Sequence, residues 1–373
     1  MSTTDELHTS QEDDAASHEN GTEPPILDLR HLVQEFVLRD FGGVKGGTVK
    51  AVSDVSLTIQ SGETLGLVGE TGSGKTTLAR TVLQAPKPKS GQVVFHGTDL
   101  TKLHRRELRH NLRGLQAVFQ DPYGSLNPKW RVRDIVEEPL IGYKIGNSAE
   151  RKRRVNEVLD LVGLDPSIYG PRRPRSLSGG QGQRVAIARA LSLSPSLIIC
   201  DEAVSSLDVL IQAQVLNLFE QLRTDLHLSY LFVAHDLAIV KQVSDRVAVL
   251  YLGKLCEVAP VESLYETPMH PYTEALLASV PNPDPMAERA STEEKISGEL
   301  PSPVNPPSGC RFRTRCPRAQ ERCAEEEPEL RTLGPNHMVA CHFPLNGPVA
   351  PPATPVSLSA PAPDEQGPTA TDV

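Results

Sequence analysis

The sequence predicts an α/β fold with a mainly parallel sheet, and three observations support it. A glycine-rich loop, residues 69–77, lies between the apolar strand-like run 64–68 and a helix-like run, 77–83. Two further apolar runs, 196–200 and 230–233, are continuous, as strands buried on both faces should be. Because helical stretches separate these strands, we expect ligands at the carboxyl ends of a parallel sheet.

Other elements are predicted around this sheet. Alternating apolar residues at 26–36 and 52–59 indicate an antiparallel β layer before the loop. Apolar residues at helical spacing over 132–166 suggest a helical insertion, and residues 246–259 are typical of a hairpin. A small cysteine-containing extension near the C-terminus completes the predicted fold.

Composition indicates a globular protein with polar ends. The 373 residues carry a net charge of −9, but residues 1–24 hold seven acids, residues 344–373 hold three, and neither end has a Lys or Arg. Since the remainder is close to neutral, we expect no nucleic-acid partner. We expect a disordered acidic tail at 1–24 and a disordered proline-rich tail at 344–373.

No apolar run reaches membrane-spanning length, and no signal-peptide pattern is present. We therefore expect the protein to stay in the cytoplasm. If it works at a membrane, it must dock on a partner that spans it.

The loop Gly69-Glu70-Thr71-Gly72-Ser73-Gly74-Lys75-Thr76-Thr77 has the spacing G-x-x-x-x-G-K-[ST] of a phosphate-binding loop. Its glycines let the backbone turn tightly and bring N–H groups against an anion. Lys75 supplies a positive charge for the outer phosphates, and Thr76 a hydroxyl for Mg²⁺. The sequence therefore predicts a bound nucleotide; the alternative is a glycine-rich turn that binds nothing.

Four polar residues at predicted strand ends extend this site. Asp201 can reach Mg²⁺, and Glu202 is placed to orient or deprotonate a water that attacks the γ-phosphate. Gln120 could hold that water or Mg²⁺, and His235 could hydrogen-bond the γ-phosphate. Taken singly, the carboxylates could instead cap a helix, and the other two could be ordinary polar residues.

The segment Leu177-Ser178-Gly179-Gly180-Gln181 decides between kinds of nucleotide-binding protein. Ser178 can cap a helix, and the two glycines let a phosphate approach the N-terminus of that helix. With this segment, the chain resembles an ATP-binding cassette (ABC) protein over residues 25–270. The resemblance rests on motifs in order: Gly69–Thr77, Gln120, Leu177–Gln181, Leu197–Glu202, Ser205-Ser206-Leu207-Asp208 and His235.

This resemblance implies a P-loop NTPase (RecA-like) fold with a helical subdomain at about 121–180. It also implies a head-to-tail dimer, in which ATP and Mg²⁺ held by one loop meet the other subunit's segment. The resemblance adds these residues to the ATP-binding set: Ser178, Gly179, Gly180, Gln181 and Asp208. The adenine is expected on Phe36, with Phe41 as the alternative. Gly182 and Ala203 depart from the family, which commonly has a basic residue and Pro there.

Further motifs make residues 25–343 similar to the ATPase subunits of dipeptide and oligopeptide importers. They are Gln120–Pro128, His270-Pro271-Tyr272-Thr273 and Gly298–Pro303, followed by four cysteines in a C-terminal extension, 271–343. This resemblance implies a second ATPase chain, expected to be a paralogue, and two membrane-spanning permease subunits. An extracytoplasmic substrate-binding protein would act indirectly, and the chain would lie at the cytoplasmic face of the cell membrane.

Other functions stay open at this point. A nickel or glutathione importer has the same kind of ATPase subunit. A soluble ABC ATPase of translation or DNA repair usually has two cassettes or a long coiled-coil insertion, and an exporter lacks the C-terminal motifs. A catalytically inactive subunit is opposed by Lys75, Asp201, Glu202 and His235.

The four cysteines Cys310, Cys316, Cys323 and Cys341 are spaced C-x5-C-x6-C-x17-C. Four thiolates so close together in a cytosolic protein suggest a metal site. Zinc sites usually contain cysteine pairs that are closer in sequence. The importer ATPase subunits that this chain resembles carry a [4Fe–4S] cluster at the matching cysteines. We expect this cluster in a structural role, with zinc or no metal as alternatives.

Overall fold

The computed structural model describes residues 24–38, 46–280 and 298–350. Most of both predicted tails therefore lies outside the described residues, as does Phe41. Residues 344–350 are described and contact the fold: the Leu345 N–H donates to the Met269 carbonyl over 2.8 Å, and Ala350 is buried, whereas residues 346–349 are exposed. Contacts with the fold therefore extend past residue 343, the expected end of the extension.

The main sheet has eight strands, and a second sheet has four. The strands are β1 (Leu27–Val37), β2 (Thr48–Ile59), β3 (Thr64–Val68), β4 (Ser90–Phe95), β5 (Thr98–Asp99), β6 (Leu115–Phe119), β7 (Leu197–Asp201), β8 (Ser229–Val233), β9 (Arg246–Tyr251), β10 (Lys254–Pro260), β11 (Arg331–Gly334) and β12 (His337–Val339). The order in the main sheet is β11-β12-β10-β9-β3-β8-β7-β6. Neighbours from β9 to β6 are parallel, and those from β9 to β11 are antiparallel.

Within the described residues up to 280, the chain forms eleven α-helices. They are α1 (Lys75–Val82), α2 (Arg105–Asn111), α3 (Pro122–Ser125), α4 (Val132–Gly142), α5 (Ser148–Leu161), α6 (Pro166–Tyr169), α7 (Gly179–Leu191), α8 (Val209–Leu226), α9 (Leu237–Val243), α10 (Val261–Glu266) and α11 (Pro271–Ala278). A further short helix, Arg322–Glu325, lies in the C-terminal extension. Within the described ranges, no helix combines the length and apolar character that a membrane span requires.

The four-stranded sheet is antiparallel, with the order β2-β1-β4-β5, as the alternating sequence pattern predicts. Its apolar face, helix α1 and strands β3 and β9 share one core, which includes Leu29, Val55, Leu67, Leu78 and Leu250. Burial of this apolar surface fixes the position of α1, the helix that begins at the phosphate-binding loop.

Helices α3 to α6 form the predicted helical insertion between β6 and α7. Val136 of α4 and Val158 of α5 are fully buried and share a second core with Val185 of α7 and Phe232 of β8. The insertion therefore packs on α7, whose N-terminus carries the Ser178 segment.

The C-terminal extension continues the main sheet. Its strand β12 pairs antiparallel with β10, where Glu257 faces Val339, and β11 pairs with β12. Four of the seven strand pairs in the main sheet are thus parallel and three are antiparallel. The α/β fold class with an antiparallel layer and a helical insertion is confirmed.

Candidate functional site

The glycine-rich loop needs glycine at particular backbone positions. Gly69 has φ +150°, and a Cβ there would lie 2.1 Å from the Leu250 carbonyl oxygen. Gly74 has φ +108°, and a Cβ would lie 2.2 Å from the Ala51 carbonyl oxygen. Any side chain at these positions would therefore push the loop away from β2 and β9. The spacing of the motif reflects this close packing.

Lys75 is buried at the start of α1, with 5% of its surface exposed. Its Nζ donates to the carbonyl of Gly69 over 2.6 Å and to that of Glu70 over 3.0 Å. Burial lowers the pKa of Lys75, and the nearby carboxylates of Glu202, Asp201 and Glu70 act in the opposite direction. Hydrogen bonds to these two loop carbonyls thus hold the Lys75 ammonium group at the loop.

Thr76 and Asp201 come together from distant parts of the chain. The Thr76 hydroxyl donates to Asp201 Oδ1 over 3.1 Å. Asp201 ends β7 and is buried, and this burial raises the pKa of its carboxyl, while the Thr76 hydrogen bond works against the rise. A hydroxyl and a carboxylate in this position are hard oxygen donors, the kind that Mg²⁺ prefers. The donor set therefore fits a magnesium ion.

Glu202 and His235 follow the neighbouring strands β7 and β8. Glu202 has φ +52°, a left-handed conformation that is uncommon outside glycine, and its N–H donates to the Val233 carbonyl over 2.9 Å. The turn at Glu202 thus ties the end of β7 to the end of β8 through a backbone hydrogen bond. His235 Nδ1 lies 3.4 Å from Glu202 Oε1, so the two side chains face each other.

One cavity of about 880 Å³ gathers these residues at the ends of β6, β7 and β8. The predicted residues in its lining are Thr71, Thr76, Gln120, Asp201, Glu202 and His235. Arg80 of α1 and Arg189 of α7 also line it and were not expected. Arg80 follows Thr76 by four residues, so helical spacing could have indicated it. Arg189 enters from a distant helix and has no local signal.

Comparison with known proteins places this site in a family. The family described as ABC transporter matches residues 52–205. The oligopeptide transport ATP-binding protein AppF of Bacillus subtilis is 49% identical over 325 residues, which cover 85% of this chain and 97% of AppF. This chain belongs to the ABC transporter ATP-binding proteins.

Solved structures of ABC proteins share the fold. CbiO1 of Clostridium perfringens, described as part of the ABC transporter complex cbiONQ, gives a TM-score of 0.57 at 24% identity and covers 66% of this chain and 92% of that chain. The ABC cassette MJ0796, in a dimer bound to ADP and Pi, gives a TM-score of 0.56 at 28% identity and covers 63% and 98%. A family described as the C-terminal region of oligopeptide/dipeptide transporters matches residues 256–323. The predicted resemblance to ABC peptide-importer ATPases is confirmed.

The Ser178 segment of this ABC protein starts α7 with a capping box. Ser178 Oγ accepts the Gln181 N–H over 3.3 Å, and Gln181 Oε1 accepts the Ser178 N–H over 3.0 Å. A Cβ on Gly180 would lie 2.4 Å from Ile211 Cγ2, whereas a Cβ on Gly179 would meet only Leu207 at 3.4 Å. Ser178 is exposed, and the segment is not among the residues that line the cavity.

Asp208 and Phe36 also lie outside the cavity lining. Asp208 is exposed and caps α8, where its Oδ1 accepts the Ile211 N–H over 3.0 Å. Phe36 is 39% exposed on β1 and pairs with Val49 of β2. Of the ABC-family motif residues, Thr71, Thr76, Gln120, Asp201, Glu202 and His235 thus meet in one cavity. Lys75 is buried outside its lining, and Ser178, Asp208 and Phe36 are exposed.

The four cysteines of the extension line one small cavity in this ABC protein, together with His270, Phe312 and His342. All four are free thiols. Burial is the main cause that raises the pKa of Cys310 to about 11 and that of Cys341 to about 12. Across residues 24–38, 46–280 and 298–350, no group of three or more His, Cys, Asp or Glu side chains is arranged to hold a metal ion. The cluster and zinc at these cysteines stay predictions.

Proposed function

We propose that this chain is the ATP-binding and ATP-hydrolysing subunit that powers import of dipeptides or oligopeptides through an ABC transporter. The observation that carries the proposal is the single cavity into which Thr76, Gln120, Asp201, Glu202 and His235 converge. The 49% identity to AppF, an oligopeptide transport ATP-binding protein, supports the class of cargo.

The loop residues 69–77 would hold the phosphates of ATP with backbone N–H groups and the Lys75 ammonium. Lys75 now donates to the carbonyls of Gly69 and Glu70, so its charge is already placed at the loop. Thr76 and Asp201, 3.1 Å apart, would hold Mg²⁺. Bound there, Mg²⁺ would neutralise charge on the phosphate oxygens.

Glu202 is proposed to orient and deprotonate the attacking water. His235 would hydrogen-bond the γ-phosphate, and its 3.4 Å separation from Glu202 lets both side chains face the same reacting group. Gln120 would hold the water or contact Mg²⁺ from the end of β6. The left-handed backbone of Glu202 is a strained feature of the kind that collects at functional sites.

A second ABC ATPase subunit is proposed to complete the site. Ser178, Gly179, Gly180, Gln181 and Asp208 would contribute to the ATP held by that partner, and Phe36 would stack on the adenine of this chain's own ATP. Apolar side chains exposed next to Asp208 support a subunit contact at this position: Val209 is 80% and Leu210 is 78% exposed. We propose that the partner is a paralogous chain.

We propose that ATP-driven closure of this dimer acts on two permease subunits in the membrane. This chain would then lie at the cytoplasmic face of the cell membrane. A substrate-binding protein on the other side would act indirectly through the permease subunits. The apolar side chains Trp130, Ile141 and Ile168 of the helical insertion are exposed and could contact such a partner. The near-neutral charge of residues 25–343 supports the absence of a nucleic-acid partner.

Glu202→Gln tests the function. We expect ATP binding to stay near the wild-type level and hydrolysis to fall by about 10²-fold or more, because the general base is lost. ATP should then accumulate in a closed dimer with the partner ATPase chain, measured by gel filtration of the two chains with nucleotide. Lys75→Ala should instead lose ATP binding. Unchanged hydrolysis in Glu202→Gln would remove Glu202 from the base role.

A [4Fe–4S] cluster held by Cys310, Cys316, Cys323 and Cys341 is proposed for the extension. The support is that all four thiols line one cavity in a segment too polar to form a core of its own. When bound, the cluster would cross-link four points of this segment, and it would displace the thiol protons.

Anaerobic purification followed by iron and sulfide assays tests the cluster. We expect iron and sulfide in the wild-type protein, none in Cys316→Ser, and wild-type amounts in Cys200→Ala, a buried cysteine of β7. Stoichiometric zinc without iron would show that the assignment is wrong.

A further inference from the structure

Three side chains from the C-terminal part of the chain reach the phosphate-binding loop. They are Tyr272 of α11, Leu300 and Arg315. Two of them bind Glu70, the second residue of the loop, and the third lies beside Gly72. The C-terminal part of the chain therefore contacts the loop at Glu70 and beside Gly72.

Tyr272 binds the backbone of Glu70. Its hydroxyl accepts the Glu70 N–H over 2.9 Å, and the ring is fully buried against Tyr251 and Phe312, with centroids 4.7 and 5.2 Å away. His270 fixes the start of α11, since its Nδ1 accepts the Tyr272 N–H over 3.0 Å. The His270–Thr273 motif thus places a rigid hydroxyl at the loop.

Arg315 binds the side chain of Glu70. Its Nη1 lies 2.9 Å from Glu70 Oε2, and only 7% of the arginine side chain is exposed. The guanidinium group also lies over the Tyr251 ring, 5.9 Å from the centroid. Because the arginine is buried and the Glu70 side chain is only 26% exposed, solvent screens this pair less than a surface ion pair.

Glu70 thereby links the extension to Lys75. Its N–H donates to Tyr272, its carboxylate pairs with Arg315, and its carbonyl accepts the Lys75 ammonium over 3.0 Å. Every polar group of this one residue is engaged, on one side with the extension and on the other with the lysine proposed to bind phosphate. A shift of Glu70 would move the partner of Lys75.

The segment that carries Leu300 is held against β2. The Lys50 N–H donates to the Pro303 carbonyl over 3.0 Å, and a Cβ on Gly47 would lie 2.4 Å from Val304 Cγ1. Leu300 Cδ2 is 3.4 Å from the place where Gly72 would carry a Cβ. The extension therefore meets the loop from two separate stretches, before and after residues 281–297.

We propose that Arg315 and Tyr272 are positioning residues for ATP, which hold Glu70 so that the loop and Lys75 keep their phosphate-binding shape. Neither residue touches the reacting atoms; both act through Glu70. The inference rests on the proposed function, because it concerns the ATP that the loop would bind. It makes the C-terminal extension part of the nucleotide site.

The test compares ATP hydrolysis by Arg315→Met, Tyr272→Phe and Arg322→Met in the full-length chain. We expect KM for ATP to rise about tenfold in Arg315→Met, the value of one charge-assisted hydrogen bond, with kcat within about threefold of wild type. Tyr272→Phe should raise KM by a similar or smaller factor. Arg322→Met is the matched control, since Arg322 also precedes a cysteine of the extension but pairs with Glu326.

A double-mutant cycle with Glu70→Gln separates the ion pair from a general loss of folding. If Arg315 acts through Glu70, the double variant should have nearly the same KM as Arg315→Met alone. Additive effects, or wild-type KM values in both Arg315→Met and Tyr272→Phe, would overturn the inference. A wild-type protein that binds no ATP would instead overturn the proposed function. Thermal unfolding without nucleotide identifies any variant that fails to fold.

Nucleotide binding must also affect the extension, because coupling between two sites is reciprocal. We expect ATP with Mg²⁺ to slow hydrogen exchange in residues 310–325 of the Glu202→Gln protein. This protection should be lost when Arg315→Met is added. Equal exchange with and without nucleotide in the Glu202→Gln protein would contradict the coupling.

Discussion

The nucleotide cavity and the four-cysteine cavity lie on different halves of one eight-stranded sheet, and they are built differently. The nucleotide cavity forms where the parallel strands β6, β7 and β8 end, so Gln120, Glu202 and His235 each follow a strand by one or two positions. The cysteines come from a segment with little regular structure beside the antiparallel strands β10 and β12. In the parallel part of the sheet, strand pairing fixes the positions of the functional residues. In the extension, side-chain contacts must fix the positions of the cysteines.

Glu257 of β10 is the main such contact in the extension. This fully buried carboxylate accepts the N–H groups of Met269 over 2.7 Å and His270 over 3.0 Å. It also lies 2.7 Å from His337 Nε2 of β12. One side chain thus joins β10, the start of α11 and the last strand pair. At the nucleotide cavity, by contrast, backbone pairing of parallel strands holds the strand ends.

Glu257→Ala should therefore give the largest effect. Three buried polar groups would lose their partner, and we expect the free energy of unfolding to fall by on the order of 3–5 kcal/mol. Urea unfolding measures the loss, and hydrogen exchange should show it first in residues 298–350. Glu262→Ala, at an exposed glutamate of α10, should change stability by less than about 0.5 kcal/mol. A similar small change in Glu257→Ala would show that the extension does not depend on this carboxylate.

Gly180→Ala should give an intermediate effect within the ABC segment. The added Cβ would lie 2.4 Å from Ile211 Cγ2, and overpacking of this kind costs about 1–3 kcal/mol. Gly179→Ala is the matched control, because only Leu207 is near and alanine favours the helix. Thermal unfolding compares the two variants. Ile211→Leu removes the β-branch and should restore part of the stability of Gly180→Ala; no restoration would point to a different cause.

Asp208→Ala should give the smallest effect, because it removes only the cap of α8. Loss of such a cap costs about 1 kcal/mol, and Asp208→Asn should cost less since asparagine caps equally well. Chemical unfolding of both variants measures the difference. If Asp208 also serves the proposed dimer, both substitutions should lower ATPase activity, although only Asp208→Ala lowers stability. Equal stability in the two variants would mean that the cap contributes nothing.

Local sequence patterns predicted the parallel half well. The apolar runs at 64–68, 196–200 and 230–233 predict strands, and the structure has β3, β7 and β8 there, each within one residue of those bounds. Continuous apolar runs and helical periodicity are strong signals when an element is buried on a core. The same sequence-local reasoning missed β11 and β12. These strands are short and half-buried, and they form only because β10 offers an edge to pair with.

Contacts between distant segments were also missed. Arg189 reaches the nucleotide cavity from α7, and Arg315 reaches Glu70 across 245 positions in the chain. A motif records residues whose spacing along the chain is fixed by one turn or one helix. It carries no information on side chains that arrive from another element, because their approach depends on how the elements pack.

The amino-acid sequence was sufficient to indicate the α/β fold, the phosphate-binding loop and the strand-end carboxylates, because these depend on local backbone geometry and apolar periodicity. It also indicated the ABC family, through the resemblance of its ordered motifs to those of that family. Tertiary structure alone decided that the extension completes the main sheet, that Glu257 fastens it, and that Tyr272 and Arg315 bind the loop at Glu70. Such contacts arise only when burial of the two cores has fixed where each element lies, so no stretch of sequence contains them.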